Sequence, residues 1–118
     1  MNNHNIPTNS REAFKILDAM ISVDDIITFS NMSTEEFNIT QHFGLGMWIR
    51  NNWIYRSGDE SEEECVLLDK CYRMLAGTLF KKYYVHPDDV SGYFLERYHR
   101  HLKKQYLKFK NNGTCANR

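Results

Sequence analysis

The sequence lacks several features that would place it at once in a class of proteins. It has no run of about 18 apolar residues, the length that crosses a bilayer. Its first residues, Met1–Asn5, have neither the basic start nor the apolar stretch of a signal peptide. Neither charge is in excess, with 15 basic and 15 acidic side chains, so overall basicity gives no argument for nucleic acid. These absences predict a cytoplasmic protein that does not insert into a membrane.

Cysteine is also scarce, and its spacing favours no site. Cys65, Cys71 and Cys115 are an odd number without a Cys-x-x-Cys pair, which indicates reduced thiols. A metal site would need three or four side chains to meet at one point. The candidates are His42, His86, Asp88, Asp89, His99 and His101. Two residues apart on a helix, His99 and His101 point about 200° from each other and cannot chelate together. We therefore predict no metal and no cofactor, and no kinase, glycosidase or hydrolase signature is present.

The composition is that of a folded globular protein. Hydrophobic residues make up 42% and charged residues 25% of 118 positions, which suits one domain with a single core. The predicted domain is 1–118, with disordered ends at 1–8 and 111–118.

Helix-capping side chains recur along the chain and predict an all-α fold. Asn9, Ser22 and Ser33 each precede an acidic residue by three positions, the spacing of a capping box, and Pro87 suits a first helical position. Apolar residues follow at intervals of three and four. The pattern predicts a compact bundle of about five helices, at about 10–21, 22–30, 34–55, 62–82 and 87–109.

The stretch from His42 to Trp53 is expected to form the centre of this bundle. Its apolar residues fall on all sides of a helix, which is typical of a buried element. Gly44 and Gly46 favour a close helix crossing, although they also leave room for a ligand or for a partner's side chain.

Polar residues near this stretch support two interpretations. The set comprises His42, Arg50, Asn51, Asn52, His86, Asp88, Asp89 and Ser91. In the structural interpretation, Asp88 or Asp89 caps its own helix and pairs with Arg50. In the functional one, His42 or His86 is a general base in a pocket with Arg50, Asp88 and Asp89. Spacing does not choose between them.

Two charged segments stand out from the neutral average. Five acids lie between Asp59 and Glu64, at the predicted start of a helix, where the dipole favours them; the alternative is a docking patch for a basic partner. The last helix carries candidate phosphate contacts at Arg97, Arg100, Lys103, Lys104 and Lys108. Against nucleic acid, the aromatic residues beside them, including Phe109, are expected on the core-facing row.

The His42–Trp53 stretch, together with His86–Ser91 and Tyr98–Leu102, resembles a family of small bacterial proteins known only as a domain of unknown function. The resemblance implies a folding unit, but no activity, cofactor or catalytic residue.

The favoured hypothesis is a small protein-binding module without catalytic activity, such as an inhibitor or an immunity or antidote protein. An enzyme or small-ligand protein using the polar set, and a nucleic-acid-binding protein using the last helix, are the alternatives. A homodimer stays open, because the apolar face of the last helix runs to Phe109.

Overall fold

We describe residues 6–54, 70–77 and 86–116 of a computed structural model, with side chains to residue 111. These residues are mostly helical and include no strand, which confirms the all-α prediction. The helices are α1 (Ser10–Asp18), α2 (Val23–Ser30), α3 (Thr34–Gln41), α4 (Leu45–Ile49) and α5 (Pro87–Ala116). A π-helical turn, Arg50–Ile54, follows α4, and residues 70–76 are also helical. The acidic run lies outside the described residues, as do both the start and the end of the predicted helix 62–82.

The predicted helix starts are confirmed by their caps. Asn9 Oδ1 accepts a hydrogen bond from the Glu12 backbone N–H at 2.9 Å, and Ser33 Oγ accepts one from Glu36 at 3.0 Å. Ser22 and Asp25 form a complete capping box. Helix α1 ends at Asp18 rather than near 21, because residues 19 and 20 form a turn in which the Met20 N–H donates to the Leu17 carbonyl at 2.9 Å. Ser22 is then extended, as its capping role in α2 requires.

The predicted helix 34–55 is interrupted. Helix α3 ends at Gln41, and Gly44 has a non-helical backbone with φ −101° and ψ −102°. The Gln41 side chain accepts a hydrogen bond from the Leu45 N–H at 3.3 Å, so it satisfies a donor at the new helix start. Because the break redirects the chain, Phe43 is 74% exposed and Met47 is also exposed, which corrects the expectation of burial on every side.

Helix α5, rather than the 34–55 stretch, is the element on which the other helices pack. Helices α2, α3 and α4 and the π-helical turn all contact it, and Phe14 of α1 lies against Phe94 of α5 with ring centroids 5.5 Å apart. Its buried face extends from Val90 to Leu102. Phe109, which was expected on this face, is 57% exposed, because α2 borders it on one side without covering it.

The ends of the described chain also differ from expectation. Ile6 and Pro7 are buried within the segment predicted to be a loose arm, and the Glu12 carboxylate accepts a hydrogen bond from the Thr8 N–H at 3.0 Å. Helix α5 continues through residues 111–116. None of the helices in the described ranges is long and apolar enough to cross a membrane.

Candidate functional site

Arg50 is the best-connected member of the predicted polar set. Its Nε lies 3.4 Å from Asp88 Oδ1, Nη1 donates to Ser91 Oγ at 2.8 Å, and Nη2 donates to the His42 carbonyl at 2.9 Å. The Arg50 side chain is buried, whereas Asp88 is half-exposed. The guanidinium therefore joins three segments: the turn after α3, the end of α4 and the start of α5.

Ser91 completes this connection. Its hydroxyl accepts from Arg50 and donates to the Asp88 backbone carbonyl at 3.1 Å. A hydroxyl whose proton is held by a backbone carbonyl has no base to activate it as a nucleophile. The arrangement suits a structural tie between helices, in agreement with the pairing hypothesis for Asp88.

The other members of the set do not converge on Arg50 in the same way. His86 is exposed, and its Nδ1 accepts a hydrogen bond from the Asp88 N–H at 3.0 Å, so His86 caps the start of α5, rather than Asp88 or Asp89 as expected. Asp89 and Asn51 are exposed. The Asn52 amide donates to the Trp48 carbonyl at 2.9 Å, within its own turn.

His42 accepts a hydrogen bond from Arg50 through its backbone carbonyl and not through its ring. The ring is half-buried and lies edge-on to Phe43, with centroids 4.7 Å apart. No described contact joins the His42 ring to a carboxylate, as a general base in this set would require.

Gly46 explains how closely α4 approaches α5. A Cβ at Gly46 would lie 3.1 Å from Arg50 Nη1, 3.1 Å from the Gln41 carbonyl and 3.4 Å from Leu95 Cδ1. The space beside this glycine is therefore filled by the protein itself, which favours the close-crossing interpretation over a ligand gap.

The candidate phosphate contacts divide into two groups. Arg97 donates to the Met74 carbonyl at 3.1 Å and to Ser10 Oγ, and it lies over the Phe94 ring at 5.3 Å. Its burial lowers the pKa of the guanidinium. In contrast, the remaining four are exposed: Arg100, Lys103, Lys104 and Lys108.

The structure also contains a polar cluster that the sequence analysis missed. Asp18, at the end of α1, accepts hydrogen bonds from the Tyr98 hydroxyl at 2.7 Å and from Gln105 at 3.1 Å, and His101 Nε2 lies 3.0 Å from it. Burial, followed by the hydrogen bond to Asp18, raises the pKa of Tyr98. The three α5 residues occupy positions i, i+3 and i+7, a polar row on one face that is visible in the sequence; their partner is not.

His99 lies on the other side of α5 from His101. His99 Nε2 is 2.8 Å from the Phe29 carbonyl, Nδ1 is 3.1 Å from Thr34 Oγ1, and the ring stacks on Phe37. Burial lowers the pKa of this imidazole. Across the described ranges, no group of three or more His, Cys, Asp or Glu side chains could hold a metal ion.

Cys71 is a free, buried thiol. Burial raises its pKa to about 12, so the thiol stays protonated and is a poor nucleophile. The side chains of Cys65 and Cys115 lie outside the described part of the chain.

An apolar groove lies between α2 and the C-terminal part of α5. It encloses about 340 Å³, and we call it the α2–α5 groove. It is lined by Val23, Ile26, Ile27, Gln105, Lys108 and Phe109. Val23, Ile27 and Phe109 are 55%, 36% and 57% exposed.

Comparison with known families gives one result. Residues 6–71 match a domain of unknown function, DUF6794. The chain belongs to this family. The DUF6794 match includes the His42–Trp53 stretch and ends before His86, so it confirms membership of an uncharacterised family without assigning a role. No curated protein and no solved structure matches the chain.

The Arg50 contacts and the α2–α5 groove both join the DUF6794 region to α5. Arg50 lies within the matched residues, and its partners Asp88 and Ser91 lie beyond them. The α2–α5 groove likewise takes one wall from each part. Helix α5 is therefore required for both.

Proposed function

We propose that this chain is a protein-binding module with no reaction of its own, and that the α2–α5 groove is where its partner binds. The observation that supports this most directly is the exposure of Val23, Ile27 and Phe109 around one groove. Scattered apolar side chains are normal on a protein surface, but apolar side chains grouped at a groove are typical of interaction sites.

The polar set around Arg50 supports the same proposal indirectly, because its groups already bind one another. All three guanidinium nitrogens have partners within the chain, and the Ser91 hydroxyl both donates and accepts a hydrogen bond. Groups engaged in this way hold the fold together and are poorly placed to bind a substrate. A binding role at another surface therefore explains more of the structure than an enzyme centred on Arg50.

The groove's occupant in this proposal is a different protein rather than a second copy. In a two-fold symmetric dimer the same surface faces itself, which would bring Lys108 and its exposed neighbour Lys104 towards their own copies. Like charges in an interface oppose association. A partner with complementary charge avoids this cost.

An inhibitor, of the immunity or antidote type, is the specific form of the function that we favour. A small module without a reaction of its own acts by covering part of a partner's surface, and such contacts depend on a few apolar anchors. Phe109 and Ile27 are exposed side chains of the kind that serve as anchors.

The test is affinity capture from the native cells with three baits. The baits are the wild-type chain, Ile27→Glu in the groove, and Ile39→Glu as a matched control on α3, where Ile39 is 69% exposed. We expect one partner to be retained by the wild type and by Ile39→Glu and to be lost from Ile27→Glu. Capture that is identical for all three baits would contradict the groove as the binding site.

Nucleic acid is the second candidate, because four exposed cations lie within nine residues of α5, at Arg100, Lys103, Lys104 and Lys108. A nucleic-acid surface predicts an affinity that falls steeply with salt and that does not change in Ile27→Glu. Failure of the chain to bind a heparin column at low salt would remove this candidate.

A further inference from the structure

The α2–α5 groove continues along α5 towards α1. Gln105 and Lys108 line both the groove and a second depression, of about 530 Å³, which also includes His101 and Lys104. His101 in turn lines a third depression, of about 500 Å³. The third depression lies between α1 and α5 and is lined by Arg11, Phe14, Lys15, Asp18 and His101. Shared residues thus connect an apolar groove to a surface that cations dominate.

We call Arg11, Lys15, Lys104 and Lys108 the basic strip. None of the four makes an ion pair with another described residue. The carboxylate that lines the same depressions, Asp18, has His101 3.0 Å away and accepts hydrogen bonds from Tyr98 and Gln105. The chain as a whole is neutral, yet residues 97–116 contain no Asp or Glu.

The dimensions of this surface suit a helix. From His101 to Phe109 the axis of α5 advances by about 12 Å, at about 1.5 Å per residue. This is roughly two helical turns, enough for apolar residues at i, i+3 or i+4 and i+7. Within the described ranges there is no strand edge to which an extended peptide could add. Binding of a helix in a groove is therefore the recognition mode that the surface fits.

We infer that the partner presents an acidic amphipathic helix, whose apolar side chains enter the α2–α5 groove while its carboxylates lie along the basic strip. This inference rests on the proposed protein-binding function and adds the chemistry of the partner. A nucleic-acid backbone would satisfy the basic strip but would leave Val23 and Ile27 without apolar contacts. An acidic helix covers both parts of the surface.

The test is a display selection against the full chain. The probe is a library of randomised helical peptides, each about 14 residues long, or roughly four turns. Peptides are selected on the wild type and counter-selected on Ile27→Glu. We expect the enriched peptides to be net negative, with apolar residues on one face.

An enriched peptide is then measured against three charge variants by fluorescence anisotropy. Lys104→Glu and Lys108→Glu each weaken binding by about tenfold, because each replaces an attraction with a repulsion. Lys103→Glu, an exposed lysine on α5 that does not line these depressions, is the matched control and changes binding less than about threefold. Circular dichroism and the urea unfolding midpoint check that all variants are folded.

The outcomes separate the two proposals. Enriched peptides that require Ile27 but are neutral or basic overturn the acidic helix and leave the protein-binding function in place. A selection that enriches no peptide for the wild type over Ile27→Glu overturns both.

Two other occupants are also distinguished. A single-stranded oligonucleotide that displaces the peptide and binds Ile27→Glu as well as it binds the wild type indicates a nucleic-acid surface, and it overturns the inference. Light scattering tests for a second copy in the groove. A wild-type chain that is dimeric and an Ile27→Glu variant that is monomeric would show that a second copy covers the groove, and would overturn the inference as well.

Discussion

The two halves of α5 use similar side chains in different ways. In the first half, Val90, Phe94 and Tyr98 are fully buried, and Ser91 is hydrogen-bonded on both sides. From residue 103 onwards, Leu107 and Phe109 are exposed, although both are as apolar as the residues of the core.

The cations around α5 show the same contrast. Arg50 donates to Ser91 in the first half, and Arg97 donates to the Met74 carbonyl, whereas Lys103, Lys104 and Lys108 in the second half are exposed. The first half of α5 stabilises the fold, and the second half leaves its apolar and basic groups at the surface. This difference is the physical basis for placing the binding site at the C-terminal half.

The largest expected change in stability distinguishes a buried, hydrogen-bonded arginine from an exposed one. We expect Arg50→Ala to lower the free energy of unfolding by about 3 kcal/mol, since it leaves the His42 carbonyl and Ser91 without their donors and opens a cavity. The Asp88 contact contributes the smaller part, because Asp88 is half-exposed and solvent screens it. Urea unfolding followed by tryptophan fluorescence measures the change.

Arg100→Ala is the control, with an expected change below about 0.5 kcal/mol. Equal stability of the two variants would mean that the Arg50 contacts contribute little to folding. The interpretation of the polar set as a ligand pocket would then regain support.

Two glycines sharpen the comparison by changing stability in opposite directions. A Cβ at Gly46 would press against the Gln41 carbonyl, which is backbone and cannot easily move, whereas a Cβ at Gly92 meets nothing within 4 Å. We expect Gly46→Ala to destabilise the protein by about 1 kcal/mol. Gly92→Ala should stabilise it by about 0.5 to 1 kcal/mol, because alanine is the better helix former.

Both changes can be measured from the shift in the urea midpoint at an unchanged slope. A stabilising Gly46→Ala would show that α4 can move away from α5 at little cost. The close crossing would then have no role in holding Arg50 in place.

Local signals explain which parts of the fold could be predicted. The caps at Asn9, Ser22 and Ser33 act within four residues, and the sequence therefore revealed where three helices begin. The break at Gly44 was missed, since a glycine within a helical pattern is compatible with a continuous helix as well. The end of the buried face at Leu102 was missed because the apolar period of α5 continues to Phe109, where α2 borders the helix without covering it.

Tertiary contacts explain what could not be predicted about the sites. Opposite charge made Arg50 and Asp88 a reasonable pair. Asp18 and His101 are separated by 83 positions, and nothing local indicates that they meet. The groove could not be predicted for the same reason. Ile27 and Phe109 line one groove only because α2 lies beside α5 in the folded protein.

The last prediction concerns pH and the buried half of α5. Burial lowers the pKa of His99 in the folded protein below the value of about 6.5 expected for an unfolded histidine. The unfolded state therefore binds a proton more readily. The stabilisation is fully present above about pH 6.5 and is lost as the pH falls through the folded-state pKa.

Urea unfolding of the wild type and of His99→Gln, each at about pH 8 and about pH 5, tests this expectation. Carboxylates also titrate in this range, but they do so in both proteins, so the difference between the two pH dependences isolates His99. We expect the wild type to lose more stability on acidification than His99→Gln. Equal losses would show that the folded protein accommodates a protonated His99, and that its contacts with Phe29 and Thr34 do not require the neutral ring.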